Sequence, residues 1–332
     1  MALAYVRAKE TFELSSDETA LKTCFNQNFA CHYIEQSRRS ENKGFDTYKE
    51  RAFDTQRFTV PEGVRTVIVS VDVQGGKKSR FECLVKGFGK ENRTWVMDRF
   101  AITESPRGGR INPSTNIEDW EVLTDRINAT YQLGSDKELM VHRLAVDCGG
   151  EEGVYDRALE WWRNLARADQ LKVLLVKGDS LTFKASQKAA KLRKTFPDSR
   201  KRAGAKTSSV GDVPVYLVNT QRFKDEIYND LQRDFDGFGF VNFPKYFQDK
   251  HYEELLNAEF RSEKGWEKIS SRFNETFDLF VYSRAVWHEL GGHKIDWERA
   301  PIWAAEMETN SNVVEKGVRK KIKSRPRRRI RS

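Results

Sequence analysis

No run of 18 apolar residues occurs anywhere in this chain of 332, so no membrane-crossing helix is expected. The opening segment carries acids and no continuous apolar stretch, and no secretory leader is expected either. Cysteine is scarce. Cys24, Cys31, Cys83 and Cys148 share no CxxC spacing, and no histidine stands at a zinc-finger interval from them. Scattered single thiols suit a reducing cytosol, where they act as small buried hydrophobes. A phosphate-cradling G-x-x-x-x-G-K-[ST] loop is missing: Gly75-Gly76-Lys77-Lys78-Ser79 lacks the upstream glycine and opens no helix. ATP hydrolysis by this chain is therefore not expected. The pair His288 and His293 fails as a zinc motif, because a five-residue spacing puts them about 140° apart around a helix and Gly291-Gly292 interrupts it.

Large side chains are plentiful, with eight Trp and 21 Phe, enough to build a real core. The net charge of +9 is not spread evenly. Between Glu315 and Ser332 lie ten basic residues and one acid, which account for all of it. Residues 1–314 are close to neutral, so any affinity of the body for a polyanion must come from local patches.

Residues 18–26 have helical spacing, 36–57 are polar and read as a linker, and Pro61-Glu62-Gly63 marks a turn. Thr66 to Val73 is a β-branched run, apolar on both faces, and predicts a central buried strand. Two more strands, 81–88 and 94–99, complete an antiparallel meander. A helix is predicted over 117–133, a strand over 141–146, a helix over 154–168 and a strand over 171–176. That alternation requires parallel crossovers. Further on come a strand at 213–218, helices at 220–235, 249–260 and 275–289, and disorder after Asn310. A meander followed by alternating parallel strands and helices is the order of the ribonuclease-H-like α/β fold: a mixed sheet flanked by helices. Trp161-Trp162 is read as core and surface in preference to a base-stacking platform.

Three acids sit where acids are hard to explain structurally. Asp72 and Asp147 each stand at the C-terminal end of an apolar strand, and Asp278 lies in a helix among Phe277, Leu279, Phe280 and Val281. A buried carboxylate is costly unless it is paired or binds a metal. If the two strands are parallel neighbours, about 4.8 Å apart, their carboxylates can share one ion. Oxygen ligands of this kind suit Mg²⁺ or Mn²⁺, and two such ions would serve phosphodiester cleavage. The alternative reading of each Asp is a turn or helix-cap residue. Glu275, one turn before Asp278, is either an auxiliary ligand or a helix N-terminal acid. Glu151 and Glu152 are read as first-turn helix acids.

Val60-Pro61-Glu62-Gly63-Val64, Val71-Asp72-Val73-Gln74 and Val85-Lys86-Gly87-Phe88-Gly89 resemble the opening of the nuclease domain in lambda-like large terminase subunits. Val146-Asp147-Cys148-Gly149-Gly150 resembles that family's second acidic strand end. Asn274 to Tyr282 resembles its N-E-x-x-D-x-x-x-Y helix, and residues 18–36 its junction between ATPase and nuclease. The resemblance spans roughly residues 18–290 and implies an endonuclease that cuts concatemeric viral DNA during packaging. It implies Asp72, Asp147 and Asp278 as ligands of Mg²⁺ or Mn²⁺, and Lys224 as a family lysine that contacts DNA phosphate or else a plain exposed helix lysine. It also implies double-stranded DNA, a small terminase subunit, a portal protein and a separate ATPase chain or domain as partners, in the host cytoplasm. The ATPase half is missing here, which points to an excised domain or a split-gene product. The expected organisation is a helical lead-in and linker (1–60), a nuclease domain (61–295) and an extension with a basic tail (296–332).

A basic insertion at 184–206 holds Lys188, Lys191, Arg193, Lys194, Arg200, Lys201 and Arg202 against one acid, Asp198. It is expected to grip DNA phosphates without reading bases. The basic tail is expected to bind either DNA or an acidic portal surface. Two alternatives stand beside the packaging nuclease: another ribonuclease-H-fold enzyme such as a junction resolvase or transposase-like nuclease, and a non-catalytic module that binds DNA or the portal.

Overall fold

The β-branched run becomes strand β1 (Val64–Gln74), in which every residue from Thr66 to Val73 is buried. Burial on both faces is what an unbroken apolar strand requires. The computed structural model describes residues 1–39, 43–179, 190–197 and 211–317. Strands β2 (Arg80–Gly89) and β3 (Thr94–Ile102) follow β1 as the expected antiparallel meander. Next comes a hairpin of β4 (Thr130–Leu133) and β5 (Lys137–Asp147), and β5 then runs parallel to β1. Strand β6 (Val173–Gly178) lies parallel to β5. Beyond it are β7 (Leu192–Thr195) and β8 (Val215–Val218); β8 is parallel to β6, and β7 closes that side antiparallel. The short β9 (Val241–Asn242) closes the other side beside β3. The resulting order is β7-β8-β6-β5-β1-β2-β3-β9, the mixed sheet of a ribonuclease-H-like fold. A small separate hairpin joins β10 (Glu259–Arg261) to β11 (Trp266–Lys268).

Helices cover both faces. In chain order they are α1 (Ala2–Ser15), α2 (Thr19–Thr23), α3 (Gln36–Arg39), α4 (Phe45–Glu50), α5 (Glu121–Ile127), α6 (Val154–Asn164), α7 (Arg167–Gln170), α8 (Thr220–Leu231), α9 (Asp249–Leu256) and α10 (Glu275–Glu289). Side chains alternate across a strand, so Val67, Val69 and Val71 meet Trp120, Trp161 and Trp162 on one face. Both tryptophans of the 161–162 pair are core. Ile68, Leu84 and Phe88 meet α8, α9 and α10 on the other face. Helix α10 is buried along most of its length, with the Trp287 ring stacked on Phe88 at 4.8 Å. Ser70 Oγ donates to the Leu279 carbonyl at 2.8 Å and fixes α10 against β1. None of the described helices is long and apolar enough to cross a membrane.

Several expectations are corrected. The predicted helix 117–133 is a 3₁₀ turn, Ile117–Trp120, followed by α5, after which the chain extends into β4. Tyr131 is buried in that strand because β5 overhangs the sheet and β4 covers the overhang. The helix predicted over 249–260 stops at Leu256 and turns into β10. Disorder does not begin at residue 311: strand β12 (Val313–Glu315) pairs with the other side of the β5 overhang. The polar run 36–57 contains α4, whose Tyr48 is fully buried. The part of the basic insertion that is described includes β7, while Lys188, Arg200, Lys201 and Arg202 lie outside the described residues.

The lead-in is tied to α8. Arg222 reaches Asp17 at 2.9 Å and Thr19 at 2.7 Å, Asn229 donates to the Ser16 carbonyl at 3.0 Å, and Ser16 Oγ donates to Asp230. Tyr48 adds an apolar contact, lying against Phe243 and Tyr252 with its hydroxyl donating to the Leu231 carbonyl at 3.1 Å. Tyr48→Ala is expected to cost about 3–5 kcal/mol, the usual loss for deleting a buried ring, read as a lowered midpoint in urea unfolding. A loss below about 1 kcal/mol would show that this segment does not belong to the core.

Candidate active site

Strands β1 and β5 run parallel, and their register ends with Val71 opposite Val146. The next residue on each strand is Asp72 and Asp147, which therefore stand side by side. Asp72 shares the α10 face with Ile68 and Ser70, and Asp147 shares it with Ala145. The first turn of α10 brings Asp278 to the same end, because Ser70 holds the carbonyl of the residue that follows it. Asp72 is buried, while Asp147 and Asp278 are half-buried.

Burial and neighbouring carboxyls raise the proton affinity of all three acids. Burial, then Asp147, then Asp278 lift Asp72 well above the ordinary carboxylate range. Burial and Asp278 push Asp147 up to about 6, against the pull of the Gly149 N–H, which donates to its Oδ1 at 2.9 Å. Burial also raises Asp278, and the Lys224 ammonium at 2.9 Å opposes that rise. Each charged form is disfavoured by low polarity and like charge together.

Each acid has its own donors. Gln74 Nε2 reaches Asp72 at 2.6 Å, and the Tyr282 hydroxyl, one turn beyond Asp278, bonds Asp147. Asn274 Nδ2 bridges Asp278 at 2.8 Å and Glu259 at 2.6 Å. Lys224 is buried, with Nζ also 2.6 Å from Glu259. It is not an exposed helix lysine; its charge is engaged by two carboxylates. Among the described residues no three His, Cys, Asp or Glu side chains stand close enough together to cage an ion. The acids share one field, but each rests on its own partner.

A second layer of acids lies beneath. Glu82 is the cross-strand neighbour of Asp72, and Arg80 and Arg99 neutralise it. Arg99 also pairs with Glu254 at 3.2 Å. Glu275 has one oxygen 3.3 Å from Arg80, while its Oε2 is buried with no partner. Glu151 precedes α6 and is not a first-turn acid; it accepts the Gly76 N–H at 3.0 Å. Gly75 leaves room for that carboxyl, since a Cβ there would meet it at 1.4 Å. The two loops that follow Asp72 and Asp147 are thereby stapled.

The remaining basic candidates are dispersed. Lys191 is spent on Asp17 at 2.8 Å and Glu226 at 2.6 Å. Lys194 lies over the rings of Phe196 and Tyr216, and Arg193 precedes it on β7. His288 and His293 stack at 4.3 Å, with no third ligand among the described residues. Sequence reasoning missed Glu259, Arg99, Asn274 as a bridge and Tyr282 as a donor to Asp147. Only Asn274 and Tyr282 carried a signal, as parts of the N-E-x-x-D-x-x-x-Y pattern.

A ribonuclease-H-like sheet with acids at the ends of adjacent parallel strands defines the class: a protein of the nuclease type, with an acidic site at its strand ends. Residues 1–297 match the family described as terminase large subunit gpA, endonuclease domain, and the chain belongs to that family. No curated protein and no solved structure matches it.

Asp72→Asn is expected to raise the melting temperature in chelator at pH 8, because it removes a charge that burial and two neighbours disfavour. A carboxyl whose proton affinity is raised on folding destabilises the fold only where it is ionised. The gain should therefore shrink as pH falls from 8 towards 5 and Asp72 takes up a proton. A melting temperature lowered equally at both pH values would contradict the mutual repulsion.

Proposed function

We propose that the chain is a metal-dependent endonuclease that cuts concatemeric double-stranded DNA during viral genome packaging. One observation carries this reading: three carboxyls from β1, β5 and α10 gather at one end of the sheet, each held at a raised proton affinity by burial and by neighbouring carboxyls. Natural folds keep such repulsion chiefly at sites that work. The donor set is oxygen only, and the buried Glu275 Oε2 has no partner, which fits a hard divalent cation such as Mg²⁺ or Mn²⁺. Asp72, Asp147 and Asp278 would hold it, with Glu275 as an added ligand. When bound, a pair of such ions supplies an activated water and stabilises the leaving 3′ oxygen.

The chain's own groups have distinct tasks in this reading. Gln74, the Gly149 N–H and Tyr282 orient carboxylates that would otherwise turn apart. Lys224 and Asn274 hold Asp278 beside Glu259. Arg80 and Arg99 pair with Glu82, and Arg99 with Glu254, so that the aspartates and Glu275 Oε2 remain available to a cation. Membership of the terminase family supports the packaging context: a small subunit, a portal and an ATPase as partners, in the host cytoplasm.

Nicking of supercoiled plasmid tests the reading. Cutting should need Mn²⁺ or Mg²⁺ and stop in chelator. Asp72→Ala, Asp147→Ala and Asp278→Ala should each lower the rate about a hundredfold or more. Parent-like cutting by the Asp72 and Asp278 variants would end the proposal, and strong preference for four-way junctions over linear duplex would move the substrate to a resolvase type.

A further inference from the structure

Of the cations that chain position suggested for DNA contact, Lys191 and Lys224 are consumed inside the molecule. Lys191 and Lys224 each serve two carboxylates, and Arg80, Arg99 and Arg222 serve others. A cation already paired at short range has little charge left to offer a phosphate. Four lysines around the carboxyl end of the sheet differ. Lys77 and Lys78 are exposed on the β1–β2 turn that follows Asp72 and Gln74. Lys177 is exposed at the end of β6, one step past the register pair Asp147 and Val176. Lys268 is exposed on β11, where its backbone lies opposite Glu259. None of the four side chains has an acid partner among the described residues.

Their placement is not random. Lys177 has its stem beside Gly149, where a Cβ would lie 3.5 Å away, and its Nζ lies 5.3 Å from the centre of the Tyr155 ring. It is near enough to Asp147 to favour that carboxylate's charge, and Lys268 does the same for Asp278. The Glu151 staple holds the Lys77-Lys78 turn against the loop after Asp147. Free cations thus stand on three sides of the acids: at the turn, at the end of β6 and on the outer hairpin. In a body of nearly zero net charge, an unpaired ring of this kind is a local attractor for a polyanion.

We infer that Lys77, Lys78, Lys177 and Lys268 grip the phosphates of duplex DNA on either side of the bond presented to the three aspartates. The inference rests on the nuclease reading for what lies between them, and on the unpaired lysines for the grip itself. Contacts of this kind position a duplex without reading its sequence. Each lost phosphate contact lowers the slope of log affinity against log salt by about 0.9.

Binding of a fluorescent duplex in chelator, from ~50 to ~200 mM salt, measures that slope, and plasmid cutting in Mn²⁺ is measured in parallel. Lys177→Gln and Lys268→Gln should each lower the slope by about 1, and Lys77→Gln with Lys78→Gln by about 2. Lys177→Arg and Lys268→Arg should keep it. Lys137→Gln, exposed at the far end of β5, should leave it unchanged. The basic tail is present in every variant, so its contribution cancels. Parent slopes in the Lys177, Lys268 and Lys77-Lys78 Gln variants, with the aspartate variants still inactive, would overturn the grip and leave the nuclease standing. Lowered slopes in a protein that never cuts would uphold the grip and remove the nuclease.

Discussion

Like-charge repulsion among Asp72, Asp147 and Asp278 is the constraint around which this structure is arranged. Two of these acids follow from strand pairing alone: the parallel register of β1 and β5 sets Val71 opposite Val146, so the next residues, Asp72 and Asp147, stand side by side. The third arrives with α10, which packs along the sheet and is held near its start by the Ser70 hydrogen bond to the Leu279 carbonyl. Crowding ionisable groups in this way costs stability, and the surrounding network is organised to limit that cost. Arg80 and Arg99 pair with the deeper acids and offset part of their charge.

Lys224 shows how the fold handles the outer acids. It is a buried cation shared between Asp278 and Glu259. The helix that carries it, α8, also binds the N-terminal lead-in through Arg222, Asn229 and Asp230. The same rigid element therefore touches the lead-in on one side and the acids on the other. The stacking of α4 on Phe243 and Tyr252 makes the lead-in continuous with the main core.

The parts of this arrangement that the sequence made legible are those with strong local signals. The run Thr66 to Val73 could only be a buried strand, and an aspartate within it had to be functional or paired. The meander and the strand-helix alternation followed from period and turn residues. What stayed hidden depends on contacts distant along the chain. Thr130 to Leu133 has no helix-breaking residue before Gly134, so nothing marked it as a strand until β5 proved longer than the sheet it joins. Val313 to Glu315 is too short to signal a strand, and it exists only because that overhang needed a second partner. Glu259 reads as an ordinary surface acid; the hairpin that carries it and the buried lysine it meets are 35 residues apart. Lys224 likewise reads as surface, since a helix periodicity cannot say that a polar position faces acids from other elements.

The sheet's margins have a consequence of their own. The outermost strands are very short, four residues in β7 and two in β9. The long overhang of β5, which would otherwise offer bare amides and carbonyls, is occupied by β4 on one side and β12 on the other. An extended segment from another molecule therefore finds few main-chain groups to zip onto. Short or covered borders of this sort are how sheet proteins avoid edge-to-edge polymerisation.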